Sequence, residues 1–146
     1  MKERQILVST LGSLVIFICY AVYVYSRYVS ADAGVINDFK FWGKAIVFLI
    51  PLAIAAQIII HIFFAIVNKI VTREDIPVIS DERDKLIELK ALRVSYWTFL
   101  TGFLLAMGSQ AIGMEPWVMF VTMISSAFLG GILEGITQIW FYRKGV

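Results

Sequence analysis

Four stretches of nearly unbroken apolar sequence, residues 6–26, 45–67, 94–112 and 117–142, constrain this chain more than any other feature. An α-helix rises about 1.5 Å per residue, so about 20 residues cover the roughly 30 Å of a bilayer's hydrocarbon core. Each stretch meets that length. Inside lipid a helix satisfies its own backbone hydrogen bonds, which an open strand cannot do. Hydrophobic residues make up 60% of the 146, more apolar surface than a soluble core of this size hides. The expected fold is therefore all-α: an integral membrane four-helix bundle of two antiparallel hairpins, forming a single transmembrane domain over residues 1–146. Only Gly113, Met114, Glu115 and Pro116 separate the last two stretches, which forces a tight reversal. Pro51 falls inside the second, where a membrane helix tolerates a kink. The basic start, Lys2 and Arg4, followed by apolar sequence has the outline of a signal peptide. The apolar run is too long for one and ends without a small-x-small cleavage site, so it reads as a retained helix.

Basic residues are held on the cytoplasmic side during insertion, so their placement gives an orientation. Ten of the 13 Lys and Arg flank one set of helix ends: Lys2, Arg4, Lys69, Arg73, Arg83, Lys85, Lys90, Arg93, Arg143 and Lys144. Arg27, Lys40 and Lys44 flank the other. The reading is a multi-pass protein of the cell membrane with both termini and residues 68–93 in the cytoplasm. Tyr25, Tyr28, Trp42 and Trp117 are expected to form one interfacial belt, with Trp97, Trp140 and Tyr142 in the other. A net charge of +2 without a basic stripe gives no sign of a nucleic-acid partner.

Residues 68–93 hold six basic and six acidic side chains and Pro77, the composition of a solvated connector rather than a polybasic lipid-binding tail. Ser80 is a candidate helix N-cap, with Asp81, Glu82 and Asp84 suited to the positive end of a helix dipole. Asp81 and Lys85 make an i,i+4 pair. Continued into the third apolar stretch, this helix would be about 32 residues, roughly 48 Å, and its first turns would extend into the cytoplasm as a stalk.

The segment Asp81-Glu82-Arg83-Asp84-Lys85-Leu86-Ile87-Glu88-Leu89-Lys90-Ala91 resembles a family of uncharacterised small four-helix membrane proteins of bacteria and archaea, whose pattern is roughly D-E-R-x-x-x-I-x-x-K-A. The arrangement of apolar stretches on either side fits as well. The resemblance brings no established activity. Some relatives are encoded beside small helix-turn-helix regulators, which would imply a role in a regulated membrane response. It singles out Glu82, Arg83 and Lys90 beside Asp81. One reading has these residues cap the helix and pin the inner ends of the bundle. The other makes them a docking site for a cytoplasmic protein.

Ionisable side chains are costly within a membrane span and mark candidate sites. His61 and Glu134 are the two here, each about two turns from the cytoplasmic end of its helix. Gln57 lies one turn from His61 and Gln138 one turn from Glu134, so each pair shares a helix face. Together the four form an expected polar cluster in the inner half of the bundle. It could relay protons or bind a cation, or it could tie helices two and four together. Small residues form two further stripes, Ala127, Gly131 and Gly135 on helix four and Thr98, Gly102 and Ala106 on helix three. They suit close packing inside the hairpin, the alternative being a homodimer.

No esterase elbow, zinc-protease pair or phosphate-binding glycine loop is present, one histidine is too few for a metal site, and Cys19 is the lone cysteine. The expectation is a non-enzyme without cofactor or metal, in contact with the lipid bilayer. It would act as a scaffold, sensor or immunity-like protein through a cytoplasmic partner at the loop and the start of helix three. The alternative is a small homo-oligomeric proton- or cation-linked transporter or channel, although no inverted repeat is visible.

Overall fold

The computed structural model describes residues 2–72 and 81–144, and they form an all-α bundle. Helix α1 (Lys2–Val24) runs into a π-helical turn (Tyr25–Val29). A short 3-10 turn (Ala33–Asn37) leads to α2 (Phe39–Thr72), and α3 (Glu82–Ala111) and α4 (Pro116–Lys144) complete the chain. Ser80, Pro77 and Arg73 lie outside the described residues.

The connections follow from local chemistry. Asp32 Oδ1 accepts from the Gly34 N–H at 2.9 Å and Asp38 Oδ1 from the Lys40 N–H at 2.9 Å, so two carboxylates order the first turn and cap α2. α2 stays helical across Pro51, whose ring removes the N–H that the Val47 carbonyl would have accepted. After α3, Gly113 takes φ +80, which a side chain would resist. The Met114 N–H then reaches the Ser109 carbonyl and the Gly113 N–H the Gln110 carbonyl, both at 3.0 Å, which closes the helix end. Pro116 opens α4 at the position where a missing N–H costs nothing.

α1 pairs with α2, and α3 with α4, as two antiparallel hairpins. α1 also packs against α4, whereas α3 packs along α4 alone among the described residues. The helices thus follow the order α2, α1, α4, α3. α2 reaches α4 through Trp42, which stacks on Phe120 at 5.5 Å, and Phe39, edge-on to the same ring at 5.8 Å. Trp42 is buried there, and its indole N–H donates to the Ile36 carbonyl at 2.7 Å. A buried indole needs such an acceptor, and the 3-10 turn supplies it.

The seam between α3 and α4 is built from small residues. On α3 the inward face runs Asp84, Ile87, Ala91, Ser95, Thr98, Gly102, Ala106 and Ser109, in steps of three, four and four. That 11-residue period, about 3.67 residues per turn, nearly matches the helix's own, so one face stays inward along a straight helix. A Cβ on Gly102 would overlap the Ser126 side chain, and one on Gly130 would lie 3.0 Å from Ser95 Oγ. The stripe expected on helix four falls elsewhere. Gly135 packs against Thr10 of α1, and Ala127 and Gly131 line a cleft, with nothing within 4 Å of a Cβ on Gly131. Ser126 and Gly130 sit one residue before Ala127 and Gly131, about 100° around the helix, and it is they that meet α3.

The charged start of α3 is continuous with its apolar part, as expected, but it does not stand alone. α4 runs beside it to Lys144, covering Ile87 and Ala91, and Tyr142 Oη donates to Asp84 Oδ1 at 2.8 Å. Three segments, Glu3–Val29, Phe39–Val71 and Pro116–Lys144, are long and apolar enough to cross a membrane. In α3, Thr98, Thr101, Ser109 and Gln110 interrupt the apolar run, and the helix falls short of that composition.

Candidate functional site

Beside α1, the space between α2 and α4 opens into a cleft of about 680 Å³. All four residues of the expected polar cluster line it: Gln57 and His61 from α2, Glu134 and Gln138 from α4. The i,i+4 spacing turns each pair to one side, as the sequence implied. The two pairs do not meet. α1 stands between them and adds Gln5, Ser9, Thr10 and Ser13, while Glu88 of α3 and Tyr142 complete the wall.

The cross-links therefore run from α1 to α2 rather than from α2 to α4. Ser9 Oγ donates to Gln57 Oε1 at 2.9 Å, and Gln5 Nε2 lies 3.4 Å from His61 Nδ1. On the other wall Gln138 Nε2 donates to Glu134 Oε1 at 3.4 Å, a long contact. Two carboxylates and one imidazole thus share the cleft, and no Lys or Arg lines it among the described residues.

Sequence reasoning missed the α1 contribution. Gln5, Ser9 and Ser13 are spaced by four and share one face, a readable signal in an otherwise apolar helix. Being uncharged, they escaped a search aimed at ionisable groups. Glu88 was missed because it lies in the charged part of α3, where a carboxylate looks like surface.

An aromatic pair stands at the end of the cleft nearer the Gly113 turn. Phe17 of α1 and Phe128 of α4 stack with centroids 4.1 Å apart. Phe128 borders the cleft, and Phe17 borders a second cavity of about 360 Å³ between α1, α2 and α4. Its walls include Tyr20, Trp42, Leu49, Trp117 and Val121. The polar groups of those aromatics are already engaged: Tyr20 Oη donates to the Ala45 carbonyl at 2.6 Å, Trp42 to Ile36, and Trp117 Nε1 to Glu115 Oε2 at 2.9 Å. The two cavities thus lie end to end along the bundle, one polar and one apolar.

At the start of α3, Asp81 is the N-cap. Its Oδ1 accepts from the Glu82 N–H at 2.7 Å, and the Asp81 N–H donates to Asp84 Oδ2 at 3.2 Å, a reciprocal capping box. Glu82 and Arg83 are exposed, and Lys90 Nζ sits 5.2 Å from the centre of the Phe141 ring. The inward members of the eleven-residue segment, Asp84, Ile87 and Ala91, all belong to the seam with α4. Among the described residues no group of three or more His, Cys, Asp or Glu is placed to hold a metal ion. Comparison with protein-family models, curated proteins and solved structures finds no match.

Proposed function

We propose that this chain is a multi-pass membrane protein whose polar cleft takes up a proton or small cation in proton- or cation-linked transport, with a homo-oligomer as the working form. The observation that carries the reading is the composition of the cleft. Glu88, Glu134 and His61 share one open cavity with no Lys or Arg on its wall among the described residues, in a bundle with three described helices long and apolar enough to cross a membrane. Ionisable groups at membrane depth are expensive and persist where they serve a pathway. α3, antiparallel to α4 along its length, would make the fourth crossing with Ser95, Thr98 and Ser109 turned to the seam. The excess of Lys and Arg at the end shared by both termini and the α2–α3 connection assigns that end to the cytoplasm. The cleft lies in the half of the bundle nearer that end.

A second reading keeps the activity outside the chain, with the α3 start as a scaffold or sensor surface for a cytoplasmic partner. Leu86, Leu89 and Leu92 are exposed beside Glu82, Arg83 and Lys90, an apolar row within a charged segment. Reconstitution separates the two. Purified protein in liposomes should collapse an imposed pH or cation gradient, and Glu134→Gln should lower that flux at least tenfold while the helical spectrum is unchanged. Flux that survives the substitution removes Glu134 from the pathway, and the absence of any flux from the native protein leaves the partner reading in its place.

A further inference from the structure

We infer that the solute this site takes is a lipophilic organic cation: one weakly hydrated positive charge on a hydrocarbon or aromatic body. The inference rests on the transport reading of the cleft and names its substrate class. Three observations combine. The cleft wall carries two carboxylates and, among the described residues, no Lys or Arg, which favours a cationic group and disfavours an anion. Between it and the second cavity stands a stacked ring pair, Phe17 and Phe128, whose faces attract a cation with diffuse charge. The outer cavity is walled mostly by carbon: Tyr20, Trp42 and Trp117 have spent their polar groups on Ala45, Ile36 and Glu115, and Tyr25 and Ser125 are the other polar side chains on its wall. A cavity that offers so few hydrogen bonds disfavours hydrated ions and sugars, whose polar groups would go unpaired, and accepts apolar mass.

The geometry orders these contacts. An ammonium or phosphonium entering the cleft meets Glu134 with its charge while its apolar body lies against Phe128. Such a ring pair contributes little beyond the area it buries, so an apolar body of similar shape can replace either ring in the stack. Parting the pair joins the polar cleft to the apolar cavity. At about 680 and 360 Å³, each falls within the range of ligand-sized pockets. A bare proton or sodium ion would leave the outer cavity without a role.

Tetraphenylphosphonium is the probe. Equilibrium dialysis of the labelled cation against the purified full-length protein in detergent should show saturable binding. Triphenylphosphine oxide, which keeps the rings without the charge, and tetramethylammonium, which keeps the charge without the rings, should each bind at least tenfold more weakly. Glu134→Gln should weaken the phosphonium at least tenfold. Val121→Trp, which fills the outer cavity from a partly lipid-facing position, should weaken it severalfold and leave tetramethylammonium unchanged. Each variant is first checked for native helicity and a single gel-filtration peak, and the two variants perturb different helical turns. The proposal is overturned if tetraphenylphosphonium does not bind, if it binds Glu134→Gln as well as the native protein, or if tetramethylammonium binds equally well. Proton or inorganic-cation flux in liposomes without phosphonium binding would refute this substrate class alone; loss of both would refute the transport reading too.

Discussion

Adding one methyl group at Gly102 probes the seam that holds α3 to α4. A Cβ there would overlap the Ser126 side chain, and Ser126 Cα lies 3.5 Å from the same point, so α4 backbone stands directly behind. No rotamer change moves a Cβ, and the helices must part by on the order of 1 Å to restore van der Waals spacing. Overpacking of this kind costs about 1–3 kcal/mol, and a backbone obstacle places it near the top of that range. Replacing a helical glycine with alanine returns about 1 kcal/mol of propensity, leaving Gly102→Ala destabilised by about 2 kcal/mol. Gly131→Ala is the internal control. Its Cβ meets nothing within 4 Å, so only the propensity gain applies. The two variants should differ by about 3 kcal/mol, on the order of a hundredfold in the unfolding equilibrium. Tryptophan fluorescence during unfolding in mixed micelles of mild detergent and dodecyl sulfate reads this difference. Ser126→Gly combined with Gly102→Ala should recover part of the loss, since it removes the obstructing atom. A Gly102→Ala protein as stable as the native one, or a Gly131→Ala protein destabilised to the same degree, would refute the assignment of the seam.

Two further predictions concern the ends of the bundle and its lipid contact. Tyr142→Phe deletes the 2.8 Å bond to Asp84 while Asp84 Oδ2 keeps the Asp81 N–H. The expected loss is about 1.5 kcal/mol, a tenfold shift in the same micelle titration, and an unchanged midpoint would show that the start of α3 is not pinned by α4. Cys19 is exposed on the apolar face of α1, so a membrane-impermeant maleimide should leave it unlabelled in proteoliposomes and label it fully in dodecyl sulfate. Rapid labelling in the intact vesicle would place α1 outside the lipid.

What the sequence revealed and what it concealed divide along physical lines. The number of long helices and the Gly113–Pro116 reversal were legible because they depend on local rules: apolar length, a left-handed glycine, a proline at the first helical turn; α2 runs further at both ends, Phe39–Thr72, than the apolar stretch 45–67. The faces of α2 and α4 that meet the cleft were legible from the i,i+4 spacing of Gln57 with His61 and of Glu134 with Gln138. The partner of each face was not, since it depends on helix order. α1 lies between α2 and α4, so His61 faces Gln5 instead of Glu134. The small-residue stripe of α4 misled for a related reason. Ala127, Gly131 and Gly135 make as good a packing face on paper as Ser126 and Gly130, and only the approach of α3 selects between surfaces 100° apart. Trp42 was read as an interfacial residue from its indole alone, and the Phe120 ring and Ile36 carbonyl that bury it could not be read from the sequence.

The seam of small residues also limits how the molecule can move. A joint lined by glycine, alanine and serine has no long side chains that could swing aside and reseat one notch further on. Axial slippage of α3 would bring Cβ atoms against the glycines and pull Asp84 off Tyr142, so that helix pair behaves as a single rod, its length measured from the bend at Gly113. Any widening of the cleft must then come from the whole rod leaning away from the first two helices, which would loosen the contact of Gly135 on Thr10.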